Sequence, residues 1–267
     1  MRRIELIALD LDGTLIDKTL RIRPRVREAV AAAKARGVRG CIVTGRMFRA
    51  AVGFARTLEF DSPVICYQGA AIIDPNTDDV LQHKALDNET VRDLIARCKA
   101  DGKHLQLFKN DKYYVENENE FSNLYAGLSQ SRPILTDSLL EEFVVSPATK
   151  AVVIDHPEQT TAYVKELEAA FAGRAYVTRS YPQFIELLHP QINKGDALGF
   201  VAAHLGIDLA AVMAVGDSWN DIPFLEAAGF AVAMGSAPAE LRDVADAIVS
   251  DYAGDGVAQA IENYVLQ

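Results

Sequence analysis

Short, wholly apolar runs, separated by longer stretches of helical periodicity, organise both ends of this chain. Residues 6–9 form one such run, ending at Asp10, and read as a strand buried on both faces. Residues 24–34 follow with proline near the start, alanine and arginine through the middle and Gly37 as a stop, which is a helix pattern. A second apolar run, 40–43, leads into Thr44-Gly45-Arg46 and a helical stretch reaching residue 58; residues 64–67 make a third strand. Such β-α-β-α-β alternation predicts a parallel sheet with crossover helices. The last third repeats the texture. A strand at 211–215 ends in Gly216-Asp217, a helix runs through 228, and short strands at 231–234 and 247–249 are each followed by a helix.

Between these ends, roughly over residues 84–189, the pattern changes. Strand-like runs crowd together at 105–108, 113–115, 151–154, 175–178 and 184–188, with helical stretches at 89–100 and 158–170. The prediction is therefore an α/β fold with a Rossmann-like, doubly wound parallel core made of residues 1–83 and 190–267. Residues 84–189 form an inserted α+β domain.

Composition narrows the class. Apolar residues are 49% of 267 and charged residues 24%, enough to bury a core and incompatible with disorder. A net charge of −10 argues against nucleic acid as the main partner, because phosphate backbones demand clustered Lys and Arg. A small phosphorylated substrate needs only local positive groups and a cation, so it stays open. Cys41, Cys66 and Cys98 are odd in number and unrelated in spacing, which predicts reduced, buried thiols in a cytoplasmic protein and no zinc site. Arg2-Arg3 does not read as an export signal, since Glu5, Asp10 and Asp12 interrupt the apolar stretch behind it. No run approaches a membrane span, and no feature fixes an oligomeric state.

Four features fall at the ends of predicted strands, where ligands of open α/β sheets bind. The first is Asp10-Leu11-Asp12-Gly13-Thr14. Two carboxylates two residues apart on a strand share a face and repel unless a hard cation such as Mg²⁺ holds them. A calcium loop is excluded because no glutamate follows to close it; an ordinary Asp-rich turn is the bland alternative. The second is Thr44-Gly45, either a phosphate grip or a plain helix cap. The third is Lys194, opening a helix after the insertion. The fourth, Gly216-Asp217-Ser218-Trp219-Asn220-Asp221, sets three cation-binding groups within one turn, or else a helix start capped by Asp217. Each is ambiguous alone, and the conjunction is what points to one site.

This set, in this order, resembles the haloacid dehalogenase superfamily, most closely the Cof-like phosphatases with an α/β cap inserted between the second and third motifs. The resemblance implies a Mg²⁺-dependent phosphatase acting on small phosphate esters such as sugar phosphates. It implies that Asp10 is the nucleophile, forming an aspartyl-phosphate, and that Asp12 is general acid and then general base. Asp10, the backbone carbonyl of Asp12 and Asp217 would hold the cation, with Asp221 and Asn220 supporting it through water or from behind the direct ligands. Thr44, Gly45 and Lys194 would bind the phosphoryl oxygens. Arg46 and Asn220 are candidates for substrate contact, as are Lys150, Tyr181 and His189 in the insertion, although the plainer reading of each is the stronger: Lys150 solvated, Tyr181 core and His189 a hinge. Two departures stand out: Gln68-Gly69 where many relatives carry Asn-Gly, and Ser236 where many carry Asn. The alternatives are a phosphomannomutase-like phosphotransferase, disfavoured because no arginine cluster occurs in the insertion, and a non-catalytic phosphometabolite-binding protein, which has no use for a nucleophile beside an acid.

Overall fold

The computed structural model describes residues 3–267, so Arg2 of the Arg2-Arg3 pair lies outside the described residues. The chain divides into two compact units, one comprising Met1–Gln82 with Asn193–Gln267 and the other His83–Ile192.

The first unit opens with β1 (Leu6–Asp10), α1 (Pro24–Ala35), β2 (Arg39–Val43), α2 (Phe48–Thr57), β3 (Val64–Cys66), β4 (Ala71–Ile73) and β5 (Val80–His83). The second contains α3 (Asn88–Ala100), β6 (His104–Lys109), β7 (Lys112–Val115), α4 (Glu120–Ser129), β8 (Ile134–Leu135), α5 (Leu139–Glu142), β9 (Lys150–Ile154), α6 (Pro157–Ala170), β10 (Tyr176–Tyr181) and β11 (Phe184–Leu188). The chain then returns to the first through α7 (Lys194–Leu205), β12 (Val212–Gly216), α8 (Ile222–Ala227), β13 (Phe230–Ala233), α9 (Ala239–Asp243), β14 (Ala247–Ile248) and α10 (Gly256–Tyr264).

An eight-stranded sheet, ordered β14-β13-β12-β1-β2-β3-β4-β5, spans the first unit. Its strands from β14 to β3 pair in parallel. Both faces are covered, which is why the strands are continuous apolar runs. Leu6, Ala8, Cys41, Val43, Val212 and Ala214 pack with Ala197, Leu198 and Val201 of α7 and Phe224 of α8. The alternate positions Ile7, Leu9, Ile42, Met213 and Val215 are just as buried, and α1 packs on β2 and α10. The predicted doubly wound α/β core is this sheet. What the hydrophobic pattern did not reveal is its antiparallel extension: β4 pairs antiparallel with β3, after a tight turn through Tyr67 and Gln68 with φ of +50° and +59°. That turn ends the third strand one residue earlier than its apolar run.

The second unit holds a six-stranded sheet ordered β10-β11-β9-β6-β7-β8, antiparallel except for β7 with β8. On one face, Leu105, Leu107, Ala151, Val153, Ile185 and Leu187 bury against Val91, Leu94 and Cys98 of α3 and Tyr163 and Leu167 of α6. The other face carries Gln106, Phe108, Lys150 and Glu186, all buried. The short α4 and α5 escaped the sequence reading because their mixed polar composition gives little periodicity. Among the described residues, no helix is long and apolar enough to cross a membrane.

Candidate active site

Strand register decides which side chains meet. Asp10 is paired with Val43, and Leu9 with Val215, so Thr44 and the loop after Gly216 emerge beside Asp10 at one end of the sheet. Strand β1 lies between β2 and β12, so the chain departs on one side of it and returns on the other. Such a switch point leaves a crevice at the carboxyl ends of the strands.

Lys194 is the first residue of α7, whose N-terminus is capped by Asn193, its side chain accepting from the Asp196 N–H. The lysine is only 1% exposed. Its Nζ donates to Asp10 Oδ1 at 2.5 Å and to Asp221 Oδ1 at 2.6 Å. Asp221 Oδ2 in turn accepts the backbone N–H groups of Asp217 at 2.9 Å and Ser218 at 3.0 Å. Both oxygens of Asp221 are thus matched, and this carboxylate, rather than Asp217, organises the loop start. Asp217 instead accepts from Thr14 Oγ1 at 2.9 Å. Gly13 makes that approach possible: its φ is +90°, and a Cβ there would stand 2.3 Å from Asp217 Oδ2.

Asp10, Asp217 and Asp221 each offer an oxygen, all within 4.8 Å of one another. One ammonium cannot neutralise three carboxylates. Burial first, and the Asp221 charge second, push the Asp10 carboxyl well above its usual range despite the pull of Lys194. Burial and then Asp221 push Asp217 up to about 7. Burial alone would lower the pKa of Lys194, but the charges and hydrogen bonds of Asp10 and Asp221 outweigh it and hold the ammonium form firmly. The result is an oxygen-only donor set, buried at Asp10 and Asp221 and half-buried at Asp217, with excess negative charge. Asn220 adds a further buried acceptor, Oδ1, with no hydrogen-bond partner among the described residues. Such a set fits a hard divalent cation together with its water.

Asp12 has a partner of its own. It lies beyond β1, in an isolated bridge to Ile16, and its carboxylate accepts from Arg46 Nε at 2.7 Å and Nη2 at 2.6 Å. It is not one of the three clustered carboxylates, although its charge acts on Asp217. Thr44 is buried. Its Oγ1 accepts from the Arg46 N–H at 3.1 Å, and it caps no helix, since α2 begins at Phe48. Gly45 follows it directly. Sequence reasoning missed one contact: Asn220 Nδ2 donates to Gln68 Oε1 at 2.9 Å. Its only signal was glutamine at a position where the family pattern has asparagine.

In the second unit Lys150 is not the solvated lysine that its charge suggests. It is 2% exposed, its Nζ donates to Glu186 Oε2 at 3.1 Å, and it lies 5.0 Å from the centroid of the Phe108 ring. Tyr181 packs against Phe184 with centroids 5.3 Å apart, and His189 Nδ1 accepts from the Gln191 N–H.

Comparison with known proteins accords with this geometry. The sequence pattern of the haloacid dehalogenase-like hydrolases matches residues 7–261. The chain is 32% identical to 5-amino-6-(5-phospho-D-ribitylamino)uracil phosphatase YcsE of Bacillus subtilis, over 98% of this chain and 96% of that one. It is 30% identical to the phosphoglycolate phosphatase of Methanothermobacter thermautotrophicus, over 97% and 98%. A haloacid dehalogenase-like hydrolase from Bacteroides thetaiotaomicron, known from its crystal structure, superposes with a TM-score of 0.86 at 29% identity, over 98% and 99% of the two chains. With its motif residues gathered at one sheet end and the family pattern running almost its whole length, this chain belongs to the haloacid dehalogenase-like hydrolases, in their Cof-like branch.

Proposed function

We propose that this hydrolase is a Mg²⁺-dependent phosphatase that cleaves small phosphorylated metabolites, sugar phosphates foremost, through an aspartyl-phosphate. The observation that carries the reading is the buried cluster of Asp10, Asp217 and Asp221 around Lys194. Asp10, Asp217 and the Asp12 carbonyl are the groups that would hold the cation, with Asp221 and Asn220 behind them. Bound there, Mg²⁺ supplies positive charge that offsets the carboxylates and the phosphoryl oxygens.

Asp10 attacks phosphorus in line while the ester oxygen departs. Asp12 gives that oxygen its proton, then removes one from the water that hydrolyses the aspartyl-phosphate, regenerating both residues. To do so it must exchange one of its two bonds to Arg46 for the leaving group, which makes Arg46 a candidate for contact with the arriving ester. Lys194, Thr44 Oγ1 and the Gly45 N–H are the donors for the equatorial oxygens. The unit His83–Ile192 serves in this reading as the cap that selects the leaving group. Support for small substrates comes from the relatives, one named for a phosphorylated ribityl compound and one for phosphoglycolate. The three free, buried cysteines suit a cytoplasmic enzyme.

A phosphate-release screen over sugar phosphates, nucleotides and cofactor phosphates, with and without Mg²⁺, tests the proposal. Release should require Mg²⁺ and vanish in Asp10→Asn. Equal release by that variant defeats the mechanism, and isomerisation of a hexose phosphate without release would mark a phosphotransferase instead.

A further inference from the structure

We infer that Gln68 is a positioning residue that clamps the Asn220 amide and thereby ties the proposed cation loop to the proposed phosphate-binding loop. The inference rests on the phosphatase reading above and deepens it.

Gln68 stands where a backbone of this kind is costly. Tyr67, Gln68 and Gly69 have consecutive φ values of +50°, +59° and +104°, and only glycine accepts that region freely. Two backbone hydrogen bonds hold the turn in place: the Tyr67 N–H donates to the Arg46 carbonyl and the Gln68 N–H to the Thr44 carbonyl, each at 3.0 Å. The turn is therefore stapled to both sides of Gly45. Its side chain reaches in the other direction. Gln68 is 1% exposed, and its Oε1 accepts from Asn220 Nδ2 at 2.9 Å. Its amide also lies so close over Gly45 that a Cβ there would come within 2.4 Å of Nε2. One residue thus bridges the Thr44-Gly45 loop and the loop of Asn220 and Asp221, which belong to different strands of the sheet.

The bond to Gln68 has a consequence for Asn220. With Nδ2 committed to Gln68, the amide cannot rotate without losing that bond, so Oδ1 is presented as a fixed acceptor. That oxygen is buried and has no donor among the described residues. A buried acceptor left unmatched is costly, and a hydrated cation supplies strongly polarised O–H donors. Glutamine fits this role in a way asparagine would not. One methylene shorter from the same backbone, asparagine withdraws the acceptor from Asn220.

The test compares the full-length parent with Gln68→Met, Asn220→Ala and the double variant. Met keeps the volume and removes the acceptor. Two readouts are taken: the rise in melting temperature as Mg²⁺ is titrated without substrate, and the Mg²⁺ half-saturation of phosphate release. We expect each single variant to raise the Mg²⁺ needed about tenfold in both readouts, as loss of outer-shell partners does. The double variant should match Asn220→Ala, because Gln68 acts only through Asn220. Gln68→Asn should behave like Gln68→Met. An unchanged Mg²⁺ requirement in Gln68→Met, or effects that simply multiply in the double variant, overturns the clamp. A parent whose melting temperature ignores Mg²⁺ overturns instead the reading beneath it.

Discussion

Asp217→Asn should make the metal-free protein more stable while destroying its capacity to use metal. The Asp217 carboxyl is pushed from its usual 3.8 to about 7, chiefly by burial and next by Asp221. The folded state therefore holds this proton more tightly than the unfolded state, and ionisation counts against folding. The penalty is absent below about pH 4, grows as pH rises and is complete above about pH 7. Three pKa units at about 1.36 kcal/mol each give about 4 kcal/mol, which the partial exposure of Asp217 trims to about 2–4 kcal/mol. Asparagine keeps an oxygen for the Thr14 hydroxyl but carries no charge, so it escapes the penalty. For a protein of this size the gain is about 5–15 °C in melting temperature at pH 8. The assay is thermal unfolding of parent and variant in EDTA at pH 5 and pH 8, repeated with excess Mg²⁺. The gap at pH 5 should be less than half that at pH 8. Mg²⁺ should raise the parent far more than the variant, because binding relieves the same repulsion. A gap independent of pH would refute the reasoning, since it would mean that the carboxylate is not held ionised against its burial.

Asp12→Asn should slow formation of the aspartyl-phosphate by about 10²–10⁴ with an alkyl phosphate, and by much less with p-nitrophenyl phosphate, whose leaving group needs no proton; rapid-quench kinetics on both esters compare the two. Gly13→Ala should cost about 1–3 kcal/mol in urea unfolding and remove most activity, because the new methyl meets both a φ of +90° and the Asp217 carboxylate. Lys150→Met leaves Glu186 buried and short of its cation, and should destabilise the second unit by about 3–5 kcal/mol. Lys150→Met with Glu186→Leu should recover most of that loss in the same melts.

Most residues of the site were legible because they sit at the ends of apolar runs, and parallel strands buried on both faces announce themselves by such runs. Asp10, Thr44 and Asp217 could be grouped from the sequence, since a parallel sheet brings the carboxyl ends of its strands together, whereas Lys194 arrives on the first turn of α7, behind a strand of the other sheet. How they bond to one another was not legible. Strand periodicity set Asp12 on the side of Asp10, but it does not reveal that the carboxylate of Asp12 pairs with Arg46. Asp221 looked like a peripheral ligand and proves to be the anchor for Lys194 and for two backbone amides. The buried Lys150–Glu186 pair was hidden for a general reason. Alternation marks a residue as facing inward only when the residue is apolar, so a charged pair on an inner face looks like a solvated one. The turn at Tyr67 and Gln68 defied reading because neither residue favours positive φ.

The order of strands in the first unit has a consequence for biosynthesis. Asp10 and Lys194 are separated by 184 positions, and β1 pairs on one side with β2 and on the other with β12. On the ribosome, β1 and β2 emerge early, while the neighbour that covers the far edge of β1 appears only after the whole second unit has been made. During that interval a nascent chain displays an apolar, unpaired central edge, which is a hazard for association with other chains. The second unit is contiguous and can fold in the meantime, shortening the distance the late segments must search. Chaperone dependence should accordingly fall mainly on the interval before β12 is released, and a ribosome stalled before that point carries a chain with no assembled site.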